Sequence, residues 1–212
     1  NDAADVVTAW IAAREGRVVL FGNTKHRVTG MADYLTRQGI RVEALHGDRG
    51  QTARRKALAD FASGEVPVLV ATDVAARGID VDSLDLVVHV DPPPEAATYV
   101  HRSGRTARAG ATGTVVTIVR DRQADAVADM LRAAGVTPEI MDVSPGSTAL
   151  KKWTGARKPP GEKRETGRRQ AGSGQGPRTR AGAGAGGKGG RPRRGKPAAS
   201  RPHRPKKKRG KK

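Results

Sequence analysis

The chain has 212 residues, a formal net charge of +19, 36% hydrophobic residues and no cysteine. Disulfides and thiolate metal sites are therefore excluded, and no apolar run approaches the roughly 20 residues that a membrane-spanning helix needs. The charge is uneven: residues 1–150 hold 17 Lys and Arg against 19 Asp and Glu, whereas residues 151–212 hold 23 against Glu162 and Glu165 alone.

Residues 1–146 carry enough apolar side chains for a core of ordinary domain size. From Ser147 onward the chain is dominated by Gly, Pro, Ala, Lys and Arg, with Trp153 as its one aromatic residue. Such a composition offers too little apolar surface to offset chain entropy. Residues 147–212 are therefore predicted to be a disordered basic tail without secondary structure. No basic-then-apolar leader opens the chain, which begins without Met inside an apparent helix and so reads as part of something longer. The lack of cysteine fits a reducing compartment, and a cytoplasmic location is expected.

Short β-branched runs alternate with helical patterns of about a dozen residues, the signature of an α/β fold with a doubly wound parallel sheet. A helix is predicted at 5–14, then a buried strand at 17–21. A second helix spans 25–38 and stops at Gly39, where a left-handed cap is suited to glycine. A strand at 41–45, a helix at 51–62 ending at Gly64, and a strand at 66–71 follow. The next strand, 84–90, is closed by Pro92-Pro93-Pro94. A helix is expected over 95–108, a strand at 113–119, a helix at 123–134 and a last short strand near Ile140.

In doubly wound sheets ligands sit at the carboxyl ends of the strands. Three stretches fall there: Phe21-Gly22-Asn23-Thr24-Lys25, then Thr72-Asp73-Val74-Ala75-Ala76-Arg77-Gly78-Ile79-Asp80, then His101-Arg102-Ser103-Gly104-Arg105-Thr106-Ala107-Arg108. If the predicted helix runs to Arg108, His101, Arg105 and Arg108 share one face at i, i+4 and i+7. Arginine keeps its charge and offers a planar fork of donors matched to phosphate oxygens. Such a face suggests an anion site; a lone arginine pair is more often a solvated basic face.

In order and spacing these stretches resemble the second RecA-like domain of bacterial-type DEAD-box ATP-dependent RNA helicases. Phe21 to Lys25 is similar to that family's motif IV. His46-Gly47-Asp48 with Gln51 and Arg54 is similar to motif IVa, Thr72 to Asp80 to motif V, and His101 to Arg108 to motif VI. The resemblance covers residues 1 to about 143. It implies that Arg105 and Arg108 reach the ATP γ-phosphate, with Arg108 first in line as arginine finger. Asp80 would accept a hydrogen bond from the ribose, and His101 would link to the catalytic loop of the other domain. Thr24, Gln51, Arg54, Thr72, Arg77 and Gly78 would hold RNA phosphates and sugars, with Arg102 in a supporting structural role. Contacts of that kind carry no base code, so RNA binding is expected to be largely sequence-independent.

The resemblance also implies Mg2+ with the ATP, both held by an N-terminal RecA-like domain that these residues do not include. Gly182 to Lys188 superficially resembles a phosphate loop, but it follows no strand, opens no helix and has Gly189 where Ser or Thr belongs. At position 107 the family usually has glycine; since alanine favours a helix, the replacement is expected to matter little. Trp10, Tyr34 and Phe61 are expected to be packing residues, and His26 and His89 are not expected to be ligands. The tail is expected to attract RNA electrostatically, since it offers no aromatic stacking platform. The rival is a non-enzymatic RNA-binding or annealing module; retention of both Arg105 and Arg108 favours the enzyme.

Overall fold

The computed structural model describes residues 2–76, 84–107 and 112–161. Five parallel strands form one sheet: β1 (Val18–Phe21), β2 (Val42–Leu45), β3 (Val68–Ala71), β4 (Leu86–His89) and β5 (Thr114–Thr117), in the order β2-β3-β1-β4-β5. β1 lies at the centre, with Val18 to Phe21 in register with Val68 to Ala71 on one side and Leu86 to His89 on the other.

All residues of β1, β3 and β4 are buried, because a parallel sheet is covered on both faces. Val18, Leu20, Val68, Val70, Leu86 and Val88 point to one layer, packed on α1 (Ala3–Ala12) and α2 (Lys25–Arg37). The alternate residues Val19, Phe21, Leu69, Ala71 and Val87 point to the other, where Phe61 of α3 (Gln51–Ala62) and Ala75 and Ala76 of α4 (Asp73–Ala76) cover them. Val28, Met31, Ala32 and Leu35 give α2 its apolar stripe at helical spacing. Thr24 caps its start by accepting the Arg27 amide at 3.1 Å, and Gly39, at φ +77°, ends it. On the β5 side, α5 (Ala96–Ser103) and α6 (Ala124–Ala133) meet where Tyr99 packs on Val127, Met130 and Leu131.

Three sequence expectations need correction. The helix expected over 95–108 ends at Ser103, and Thr106 is drawn into a parallel bridge with Leu84. Arg105 therefore lies beyond the helix, and the shared i, i+4, i+7 face does not form. No strand forms near Ile140, which is 85% exposed. Ile140, Met141 and Val143 have strand-like character, but a strand persists only where a neighbouring edge accepts its hydrogen bonds.

The third correction moves the tail boundary. Residues 147–161 are ordered: α7 (Thr148–Thr154) is capped by Ser147 and ends in the left-handed Gly155. Leu150 and Ala156 join the core beneath α1 and α2. Arg14 Nε donates to Thr154 O at 2.9 Å, the Arg157 amide to Trp10 O at 2.9 Å, and the Gly161 amide to Gln38 O at 3.0 Å. A Cβ on Gly39 would lie 2.5 Å from Gly161 O, so that glycine is needed for close approach as well as for its φ. The averaged composition of the basic segment concealed two apolar anchors. Residues 162–212 lie outside the described residues.

Leu150→Ala should lower the stability of the 212-residue chain by about 2–5 kcal/mol, the usual cost of emptying a buried leucine site. Urea denaturation measures it; a change below about 0.5 kcal/mol would mean that the segment is not part of the core.

Candidate functional site

The carboxyl ends of β1, β3 and β4 converge on one side chain. Arg102, in the last turn of α5, is 1% exposed. Its Nε and Nη2 donate to the two carboxylate oxygens of Asp73 at 2.6 and 2.8 Å. Nη2 also donates to Asn23 Oδ1 at 2.7 Å, and Nη1 to Asp91 O at 3.1 Å. The guanidinium carbon lies 5.3 Å from the centroid of the Phe21 ring, a cation–π distance. A buried charge is tolerated only when paired and fully hydrogen-bonded, and removing one partner of such a pair costs roughly 3–5 kcal/mol. Arg102 thus has the supporting role that its motif implied, and it ties together the ends of three strands.

A second tier surrounds it. The Asn23 amide donates to Asp91 Oδ2 at 3.1 Å and its side chain to Pro92 O at 2.9 Å. Arg27 bridges Asp91 at 3.2 Å and Asp5 at 2.6 Å. Burial works against the Arg27 charge, yet the Asp5 and Asp91 carboxylates prevail and raise its pKa. Asn23, Asp73 and Asp91 were not singled out from sequence as site residues. Their signal was position: each follows a strand at its carboxyl end.

Beneath the guanidinium, His89 is fully buried between Phe21 and Tyr99, both edge-on, with ring centroids 6.2 and 5.3 Å away. Its Nδ1 lies 3.0 Å from Thr117 Oγ1. Burial, reinforced by the nearby Arg102 charge, pushes its pKa down to about 3, so the imidazole is neutral at physiological pH.

Thr24 and Thr72 lie on this edge, Thr24 exposed as the cap of α2 and Thr72 half-buried with its amide donating to Leu45 O at 3.1 Å. Gln51, exposed, opens α3, and the half-buried Arg54 lies one turn along it. The α3 approach is joined to α2 by the Lys25–Asp48 ion pair at 2.8 Å, which holds the exposed Asp48 carboxyl below its usual pKa. His101 is exposed on α5, and Arg105 is half-buried just past the helix end. Arg77, Gly78, Asp80 and Arg108 lie outside the described residues. Among the described residues, no group of three or more His, Asp or Glu could hold a metal ion, and no helix is long and apolar enough to cross a membrane.

Ala107 has φ +56° and is the only non-glycine residue with positive φ among those described. The glycine usual at this position thus meets a left-handed backbone rather than a helical one. Helix propensity was the wrong criterion, since an L side chain there costs about 1–2 kcal/mol.

Residues 3–110 match the family described as the helicase conserved C-terminal domain. Over 116 residues the chain is 45% identical to DEAD-box ATP-dependent RNA helicase 40 of Oryza sativa subsp. japonica, a match covering 55% of this chain and 14% of that protein. The chain thus spans a small fraction of its relative's length. Among solved structures, the Escherichia coli DEAD-box protein SrmB bound to regulator of ribonuclease activity A superposes with a TM-score of 0.58 at 32% identity, covering 69% of this chain and 91% of that chain. Saccharomyces cerevisiae Dbp5 bound to RNA and ADP BeF3 gives 0.62 at 29% identity, covering 72% and 42%.

Ala107→Gly should stabilise the domain by about 1 kcal/mol through relief of the left-handed strain; an unchanged denaturation midpoint would count against that strain. The neutral His89 makes a second prediction. The unfolded chain protonates this histidine below about pH 6.5, whereas the folded one does so only near pH 3. Stability should therefore fall as pH drops, by about 2 kcal/mol between pH 7 and pH 5. Urea melts at both pH values test this, and the difference should shrink in His89→Gln.

Proposed function

The chain belongs to the helicase conserved C-terminal domain family, in the form carried by DEAD-box RNA helicases, and on that premise we propose that it is the second lobe of an ATP-dependent RNA helicase. In that role it closes over ATP and RNA to unwind or remodel short duplexes. The observation that supports this most is the buried Arg102, whose hydrogen bonds gather the residues of motifs IV, V and VI at one edge of the sheet.

Thr24, Gln51, Arg54, Thr72, Arg77 and Gly78 grip the RNA backbone, without a base code. Asp80 accepts from the ribose of the nucleotide. Arg105 and Arg108 face its γ-phosphate and offset charge that develops there, with Arg108 as the finger. His101 links this lobe to the other and couples RNA contact to hydrolysis. ATP with Mg2+, held by the N-terminal lobe, supplies the phosphoryl group whose release resets the closed state. The present chain alone is expected to turn over no ATP, since it contains no phosphate loop. A cytoplasmic location belongs to the same proposal, supported by the lack of cysteine.

In the complete protein, Arg108→Lys should cut RNA-stimulated ATP turnover by roughly 10³-fold while leaving ATP binding nearly intact. Lysine keeps the charge and loses the planar fork, and fingers act mainly in the transition state. Near-normal turnover in the variant would transfer the finger role to Arg105. A complete protein with no RNA-stimulated turnover at all would leave the annealing module as the better account.

The basic stretch is proposed to supply most of this chain's RNA affinity. Because residues 147–161 belong to the fold, the appropriate cut is after Gly161, which removes 19 Lys and Arg with two Glu. Affinity across a salt series on several unrelated single strands should drop, and the slope of log affinity against log salt should flatten by about 0.7 per lost phosphate contact. Equal slopes for the two forms would mean that these residues do not touch RNA.

A further inference from the structure

Immediately past α5 the chain makes a tight turn, with the Arg105 amide donating to Arg102 O at 3.2 Å and the Thr106 amide to Ser103 O at 3.1 Å. Thr106 is then buried at 5% exposure. Its hydroxyl donates to the carbonyl of Leu84, and the two residues form a parallel bridge. Leu84 is itself 2% exposed and belongs to the apolar cluster of Phe21, Phe61 and Val87, so the acceptor is anchored to the sheet. From the other side, Gly113 leaves no room: a Cβ there would run into Thr106 Oγ1 and the Ala107 amide. The hydroxyl bond and the bridge hold the turn against Leu84, and Gly113 leaves the space that Thr106 occupies.

We infer that Thr106 is a positioning residue that latches the turn carrying Arg105 to Leu84. Arg105, which faces the nucleotide in the proposed function, is thereby tied to one anchored carbonyl. Thr106 touches no substrate in this assignment, which presupposes the helicase function proposed above. Loss of the hydroxyl removes this hydrogen bond from a buried carbonyl and lets the turn drift. Displacements of about 1 Å in a catalytic constellation can cost on the order of 10²-fold in rate.

The test compares Thr106→Val, which keeps the shape and removes the donor, with Thr106→Ser, which keeps the donor. In the 212-residue chain, amide exchange at Arg105, Thr106 and Ala107 should rise about tenfold or more in Thr106→Val and stay within about threefold of the parent in Thr106→Ser, with β1 and β3 unchanged. In the complete protein, Thr106→Val should lower RNA-stimulated kcat by about 10- to 100-fold with RNA affinity and the KM for ATP little altered. The Ser variant should recover most of that loss. Parent-like exchange in Thr106→Val, or a Ser variant as impaired as the Val variant, overturns the latch. Should Thr106→Val not fold, Gly113→Ala displaces the hydroxyl from below and should accelerate the same amides; parent-like exchange there overturns it too. A parent protein without RNA-stimulated turnover defeats the proposed function, and the exchange comparison then decides the latch alone.

Discussion

A guanidinium buried at 1% exposure constrains everything around it. Removing such a charge from water is expensive, and proteins tolerate it only where the ion is paired and hydrogen-bonded in good geometry. Arg102 meets that demand with Asp73, Asn23 and the carbonyl of Asp91, which stand at the carboxyl ends of β3, β1 and β4. Loops at strand ends are ordinarily among the looser parts of an α/β fold. Here they cannot wander separately without stranding a charge in the interior. The side chains projecting from those loops, Thr24 and Thr72 among them, take their positions from this requirement.

The aromatic layer under Arg102 follows from the same demand. Phe21 offers its ring face to the cation, and His89 supports Phe21 from the edge. A protonated imidazole there would repel the guanidinium. Neutrality is therefore part of the packing, which the fully buried site enforces. Through Tyr99 the same layer reaches α5 itself, so β1, β4 and the helix bearing His101 and Arg102 are packed as one stack.

The sheet was legible because its central strands are buried on both faces and read as unbroken apolar runs. The limits of α2 were legible because Thr24 and Gly39 carry local chemistry that any helix end needs. Motif order pointed to the edge on which Thr24 and Thr72 stand. The network inside that edge was not legible: Arg102 lies 29 residues from Asp73 and 79 from Asn23, and no local pattern reports a pairing over such separations. Local propensity misled at Ala107, where a tertiary bridge through Thr106 overrides the helix, and at Ile140, where a strand-like pattern has no edge to join. Averaging misled at Leu150, one apolar anchor in a stretch dominated by charge.

The bond between Gly161 and Gln38 fastens the end of the 155–161 segment to the C-terminus of α2. Since α2 connects two parallel strands, it runs against them, and its 13 residues carry Gln38 about 20 Å from the cap at Thr24. Gln38 thus lies at the pole away from the strand ends that gather around Arg102. An inserted turn in α2 would carry the Gln38 carbonyl about 5 Å further along the helix axis and break this bond, so the length of α2 and the course of residues 155–161 are matched to each other.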